Sequence, residues 1–293
     1  MIEKLCLGTA KIGIPNYGYS RTGAIVNVDQ FLTDTFSLGI KNLDTSPRYG
    51  NCEKIIGNSL KSAKKKPKIS TKIDNLFPNS QENIRLMITS IESSIRKLNI
   101  ETIDICYLHQ NELEIISDKY VHKGIETLKK EGLIKEIGTS VYTKSELKYT
   151  LESSLYDWVQ IPLNILDSSF YNMVLEYDKK IKVSARSIFL QGILLNRKFI
   201  FKDIRNHAEL LNTLKSIDKL CNKNKFNLQQ LSIAYLSQLK KIDQIILGTT
   251  SINNLLNNIS FLNLNLPDDL LDSIKAISEI PKSWTNPRNW GVN

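Results

Sequence analysis

Short apolar runs alternate with segments of helical periodicity from one end of the chain to the other. Residues 4–10, Lys4-Leu5-Cys6-Leu7-Gly8-Thr9-Ala10, predict a buried strand closed by small residues. Residues 28–38 place Phe31, Leu32, Thr35, Phe36 and Leu38 at helical spacing, and 40–44 return to a strand that ends at Asp44. A helix over 53–62 and a β-branched strand over 68–73 follow. Asn79-Ser80-Gln81-Glu82 opens a long amphipathic helix reaching Leu98, with Ile84, Met87, Ile88, Ile91, Ile95 and Leu98 on one face. Further strands are predicted at 103–109, 134–140, 158–164, 181–187 and 243–248. Helices are predicted at 125–130, 145–152, 170–177, 206–239, 251–258 and from Pro267 onward, with Gly132 placed as a C-cap.

Strand and helix thus alternate about eight times, with no linker or low-complexity break. Eight units fit an α/β fold of the closed (β/α)8, or TIM, barrel type, one domain over residues 1–293, better than an open sheet. The doubly wound alternative lacks its signature: no G-x-G-x-x-G follows a strand, although Gly8 and Gly13 lie near the first one.

Composition narrows the classes further. With 293 residues, 41% hydrophobic and 24% charged, the chain has the make-up of a globular protein with a large core. A net charge of +9 favours anionic partners in general: nucleic acid, acidic membrane or phosphorylated small molecules. The densest basic run, residues 61–68, has no interleaved aromatics and predicts a solvated connection rather than a nucleic-acid grip. Cys6, Cys52, Cys106 and Cys221 form no C-x-x-C pair, and His109, His122 and His207 have no ligand spacing, so neither a metal site nor a disulfide framework is expected. Without a signal-like start or a membrane-length apolar run, a soluble cytoplasmic protein is expected.

Candidate chemistry gathers at strand ends. Asp44, Lys72 and His109 close the second, third and fourth predicted strands, and Tyr49 follows Asp44 on its loop. In a parallel barrel those ends converge on the face where active sites form. A free tyrosine has a pKa near ~10, and a nearby ammonium stabilises its phenolate. Tyr49 as acid, Lys72 as its tuner, Asp44 as the lysine's partner and a neutral His109 as orienter of a carbonyl oxygen make a unit that protonates an oxyanion. Singly, each has a structural reading: Asp44 as a cap, Tyr49 as a loop aromatic, Lys72 as a snorkelling strand-end lysine. Occurring together on consecutive strand ends, they point to chemistry.

Residues 39–50, Ser70-Thr71-Lys72 and residues 104–109 resemble the aldo-keto reductase superfamily, in which an Asp, Tyr, Lys and His tetrad stands in the same order and surroundings. The resemblance continues through Gly138-Thr139-Ser140, residues 160–164 and residues 246–251, and so covers nearly the whole chain. It implies a (β/α)8 barrel and NAD(P)H-dependent reduction of an aldehyde or ketone. Because a tyrosine supplies only a proton, the hydride must come from that cofactor. By resemblance Ser140 and Gln160 hold the nicotinamide amide, and Gly8, Thr9 and Asp44 belong to the cofactor positions. Arg186, Ser187, Leu190, Gln191 and Gly192 match the strand-seven cofactor loop. Gly248, Thr249, Thr250, Ser251, Asn254, Asn257 and Asn258 match the pyrophosphate and adenosine end, where a helix start also suits an anion.

Several positions depart from the family. Val141 stands where an asparagine often follows the nicotinamide-binding serine, and Arg186 lies near the aromatic that stacks on the nicotinamide, where a planar guanidinium can stack instead. Many relatives pair a cation with the 2′-phosphate of NADP, yet Gly248, Thr250 and Asn254 occupy the matching positions. NADP (as NADPH) is the family default, and NAD is the alternative. Tyr17, Arg48, Phe77, Gln110 and Trp290 are expected to shape the substrate pocket. Gln110 stands where apolar-pocket relatives often carry tryptophan, which suggests a polar carbonyl substrate such as a sugar or its derivative. Residues 185–192 look like bacterial members linked to sugar metabolism. Two other readings stay open: a sugar dehydrogenase using the same site in reverse, and a non-catalytic NAD(P)H-sensing barrel. Nucleic-acid binding has no reader motif behind it, and the oligomeric state is not legible.

Overall fold

The computed structural model describes residues 1–14, 17, 27–61, 66–178, 180–197, 206–278 and 285. Eight strands close a barrel in the order β1-β2-β3-β4-β5-β6-β7-β8, with β8 returning to β1 and every pairing parallel. They are β1 (Leu5–Gly8), β2 (Asn42–Asp44), β3 (Lys68–Ile73), β4 (Ile103–Leu108), β5 (Ile134–Ser140), β6 (Trp158–Pro162), β7 (Lys182–Arg186) and β8 (Gln244–Gly248). The predicted (β/α)8 fold is the observed one.

Side-chain alternation along each strand separates two environments. On β3, Ile69 and Ile73 join the main core between barrel and helices, and Thr71 donates to Glu53 at 2.7 Å. Ser70 and Lys72 take the opposite face. On β4, Cys106 and Leu108 join the main core, whereas Ile105 and Tyr107 form a separate cluster with Trp158. Continuing the alternation sends Asp44, Lys72 and His109 toward the barrel axis at one mouth.

Around the strands lie α1 (Ala10–Gly13), α2 (Val28–Ser37), α3 (Cys52–Leu60), α4 (Glu82–Leu98), α5 (Leu113–Ile116) and α6 (Lys119–Lys130). They continue with α7 (Lys144–Glu152), α8 (Ser169–Leu175), α9 (His207–Asn224), α10 (Leu228–Gln238), α11 (Ile252–Phe261) and α12 (Asp268–Ser278). The helix to which residues 125–130 belong opens at Lys119, because Asp118 caps it by accepting from the N–H groups of Tyr120 and Val121. The helical region expected over 206–239 is divided into two helices, since Lys225 turns left-handed and Asn227 opens α10 with a capping box to Gln230. Gly132 has the positive φ, 71°, that its predicted capping role needs. The loop carrying Tyr49 rests on α1 at Gly13, where a Cβ would lie 1.7 Å from the Tyr49 carbonyl oxygen. Only glycine fits there.

Candidate active site at the C-terminal mouth

Strand-ladder hydrogen bonding continues past the strand ends and fixes the residues that follow them. The Thr45 N–H donates to the Ser70 carbonyl at 2.8 Å, and the His109 N–H donates to the Ile73 carbonyl at 2.7 Å. Asp44, Thr45, Lys72 and His109 are therefore set by backbone geometry rather than by loop conformation.

Lys72 donates to Asp44 Oδ1 at 2.6 Å and to the Thr45 carbonyl at 2.8 Å, two of its three donors. Asp44 Oδ2 accepts from Gln160 Nε2 at 2.9 Å, and Gln160 Oε1 accepts from Ser140 Oγ at 3.0 Å. A continuous polar chain thus runs Lys72–Asp44–Gln160–Ser140, from β3 and β2 across the barrel to β6 and β5. All four side chains are buried, so each would be costly without its partner. Lys72 Nζ lies 5.2 Å from the centre of the Tyr49 ring. Tyr17 closes over the same ring with centroids 6.2 Å apart.

The half-buried Tyr49 phenol differs from expectation. Burial first, then the Asp44 carboxylate and Tyr142, raise its pKa above the ordinary tyrosine value, against the opposing Arg186 guanidinium. The expected lowering by the Lys72 ammonium does not prevail, because Asp44 sits on that ammonium and the pair presents little net charge. Tyr49 is held in its protonated form, the form an acid must start from.

His109 is lowered from its usual value, chiefly by burial, with Lys72 and Arg48 adding to the effect and Asp74 opposing it. Its Nδ1 lies 3.7 Å from Asp74 Oδ2 and 3.5 Å from Ser46 Oγ. Asp74 also forms an ion pair with Arg48 Nε. Beside them opens a cleft of about 480 Å3, lined among others by Arg48, Asn75, Phe77, His109, Gln110 and Glu112. Gln110 is already engaged: its side chain accepts from the Leu76 N–H at 2.8 Å and donates to the Leu76 carbonyl at 2.9 Å. It ties the loop after β4 to the loop after β3. Phe77 and Tyr17 are exposed at the rim, and Trp290 lies outside the described residues.

The expected cofactor positions form an arc on the other side of the mouth. Thr9 holds the Asp44 carbonyl through both its N–H, at 3.0 Å, and its hydroxyl, at 2.9 Å, and Gly8 pairs in register with Asp44 and Gly248. Arg186 is pinned by bonds to the Val141 carbonyl at 2.9 Å and to Ser187 Oγ at 3.3 Å, and its guanidinium stacks 3.9 Å over the Tyr142 ring. Ser187, Leu190 and Gln191 all adopt positive φ, 63°, 45° and 54°, before Gly192. A run of left-handed non-glycine residues stores strain of about 1 kcal/mol or more each, which clusters at ligand-gripping loops. Ser251 caps α11 by accepting from the Asn254 N–H at 3.3 Å, Thr249 Oγ1 accepts from the Ser251 N–H at 3.2 Å, and Asn258 accepts from Gln229 at 2.8 Å. Gly248, Thr250, Asn254 and Asn257 are solvent-accessible along the same stretch.

Sequence reasoning missed Asp74 and Tyr142, and pointed to Asn111 only as a polar residue of a pocket-shaping loop. Asn111 is fully buried, donates to the Ser140 carbonyl and keeps Oδ1 unpaired among the described residues. Asp74, Asn111 and Tyr142 each lie two positions beyond a strand-end residue that was found: Lys72, His109 and Ser140 respectively. The two-residue period of a strand, carried one step into the loop, was the available signal.

The (β/α)8 barrel thus brings a buried Lys–Asp pair, a tyrosine and a histidine together at its C-terminal mouth, the face where active sites of this fold form. A model of the aldo/keto reductase family matches residues 4–279, and the chain belongs to that family of oxidoreductases acting on carbonyl and alcohol groups. It is 25% identical over 314 residues to the NADH-specific methylglyoxal reductase of Escherichia coli (strain K12), covering 91% of this chain and 95% of that protein. It is 25% identical over 318 residues to the L-galactose dehydrogenase of Arabidopsis thaliana, covering 98% and 97%. The glycerol dehydrogenase structure from Gluconobacter oxydans shares the fold, with a TM-score of 0.72, 21% identity and coverage of 97% and 94%. No described helix is long and apolar enough to cross a membrane.

Proposed function

We propose that this chain reduces a small polar aldehyde or ketone with NAD(P)H, and that Tyr49, Lys72, Asp44 and His109 form its catalytic unit. The observation that carries this reading is the meeting of the buried Lys72–Asp44 pair with the proton-bearing Tyr49 at the mouth of the barrel. When bound, the nicotinamide supplies a hydride to the carbonyl carbon. The oxygen becomes an alkoxide, a strong enough base to take the proton of a phenol held above its usual pKa. Tyr49 donates that proton and recovers it from solvent. Lys72, fixed by Asp44 and the Thr45 carbonyl, stands beside the ring of the phenolate left behind, the Arg186 guanidinium favours its charge, and His109 orients the substrate oxygen.

The residues opposite suit a nicotinamide cofactor. Ser140, Gln160 and the unpaired Asn111 Oδ1 offer the amide and hydroxyl groups that match a carboxamide. Arg186 offers a fixed guanidinium plane. At the adenosine end Thr250 and Asn254 bring hydrogen bonds to a 2′-phosphate, and residues 248–261 contain no lysine or arginine. NADPH is therefore held only slightly more tightly than NADH. Fluorescence titration should give dissociation constants within about tenfold of each other, whereas an ion pair would separate them further.

The cleft with Arg48, Asn75, Glu112 and His109 fits a polar carbonyl compound, and relatives named for L-galactose and D-arabinose oxidation point toward sugars. Alcohol oxidation uses the same groups in reverse. Tyr49→Phe keeps the ring and removes the proton. It should lower kcat/KM roughly a hundred- to ten-thousand-fold while the cofactor dissociation constant stays near wild type. A Tyr49→Phe enzyme as fast as wild type would refute the mechanism.

A further inference from the structure

Asp74 stands on the loop after β3, two residues beyond Lys72 and on the same side of the strand's alternation. Its side chain is 8% exposed, while its partner Arg48 is 59% exposed at the cleft. The carboxylate oxygen that meets Arg48 also lies 3.7 Å from His109 Nδ1, an ion-pair separation. Asn75, at φ 59°, turns the chain away immediately afterwards. Leu76 is then bound on both backbone groups by Gln110, the neighbour of His109. Asp74 and His109 are thereby clamped side by side, and Arg48 ties the same carboxylate to the loop that carries Tyr49.

We propose that Asp74 is a positioning residue for His109, holding a proton on Nδ1 and leaving Nε2 as the nitrogen turned to the substrate oxygen. Nδ1 also lies 3.5 Å from the Ser46 hydroxyl, which can donate or accept; a bare Nδ1 lone pair facing the carboxylate would be repelled, so the Nδ1–H tautomer is the favoured neutral form, with Ser46 Oγ as a second acceptor. Neutral His109 then presents Nε2 as an acceptor, suited to an alcohol O–H. Protonated His109 presents Nε2–H as a donor, suited to a carbonyl oxygen. The charged groups around the ring are Lys72 on β3, Asp74 after it and Arg48 on the loop after β2. Lys72 and Arg48 favour the neutral ring and Asp74 favours the protonated one, so Asp74 keeps the donor form within reach in a buried site. The assignment of Nε2 to the substrate rests on the catalytic reading above; the Asp74–His109 coupling does not.

The test is an NMR titration of the imidazoles, with His109→Asn identifying the His109 signal among the three histidines. In the wild type, nitrogen shifts above the midpoint should show the Nδ1–H tautomer. Asp74→Asn should move the His109 midpoint down by about one pH unit, the effect of losing a partly screened opposite charge at this range. Arg48→Gln should move it up, because a direct cation is lost and Asp74 is freed. An unmoved midpoint in folded Asp74→Asn, an unmoved or lowered midpoint in Arg48→Gln, or an Nε2–H wild type would each overturn the proposal. Arg48 is exposed, so its variant decides the matter even if Asp74→Asn fails to fold. In kcat/KM, the reduction should weaken as pH rises through the His109 midpoint, and both variants should carry that limb with them. A limb that stays put while the NMR midpoint moves leaves Asp74's role standing and removes His109 from the substrate.

Discussion

At the C-terminal mouth, Lys72 and Asp44 meet at 2.6 Å with side chains 2% and 6% exposed; at the N-terminal mouth, Lys135 and Asp104 meet at 2.7 Å with side chains 59% and 19% exposed. The contact distance is nearly the same, and the physics is not. The buried pair has lost its water, so each charge depends on the other and on Thr45 and Gln160. The exposed pair keeps its hydration and gains little from meeting. Around Lys135 lie Lys182 with Glu136, Lys68 and Asp243, a ring of mixed charge at the strand starts. Charge at one end is arranged against burial; at the other it is solvated surface.

The largest effect should come from Lys72→Met, which strands the Asp44 carboxylate in a dry site. Breaking one side of a buried pair costs about 3–5 kcal/mol, readable in urea unfolding. Carbonyl turnover should fall at least a hundredfold with it. The double variant Asp44→Leu with Lys72→Met sharpens the contrast: removing both charges should recover much of the stability and none of the activity. Recovery of activity in the double variant would show the pair to be structural.

A smaller loss is expected from Gly13→Ala. The added Cβ meets the Tyr49 carbonyl oxygen at 1.7 Å and Cys52 Cβ at 2.7 Å, so the loop must shift. Overpacking of this kind costs roughly 1–3 kcal/mol. Activity should fall more than stability suggests, because the displaced backbone carries the proton donor. A wild-type kcat with a lowered melting temperature would mean that the Tyr49 ring tolerates movement of its loop.

The barrel and the residues at its strand ends were legible because both are written in short-range pattern. Strand runs, helical faces and the polar residue closing each strand are local features, and the break at Lys225 was missed because a left-handed lysine has no compositional mark. The Tyr49 phenol was misjudged for a different reason. Sequence places an ammonium near it, but only the folded state shows that Asp44 cancels that ammonium and that burial then decides the direction. Gln110 likewise looked like a substrate-facing group, and its two bonds to the Leu76 backbone depend on loops that sequence does not bring together.

Lys135→Ala should be the mildest change, and it tests the other half of the comparison. Asp104 would lose the Lys135 ammonium but keep the Ile69 N–H, which donates to its Oδ2 at 2.9 Å, and it would still touch water. The cost should be about 0.5 kcal/mol or less at low salt and should fade toward zero as salt screens the wild-type pair. Turnover and cofactor affinity should be unchanged, since the residue lies at the strand starts, a full barrel length from Tyr49. A loss above about 2 kcal/mol, or one that persists in high salt, would mean that the N-terminal ring is coupled as tightly as the buried pair. The division between a solvated mouth and a desolvated one would then fail.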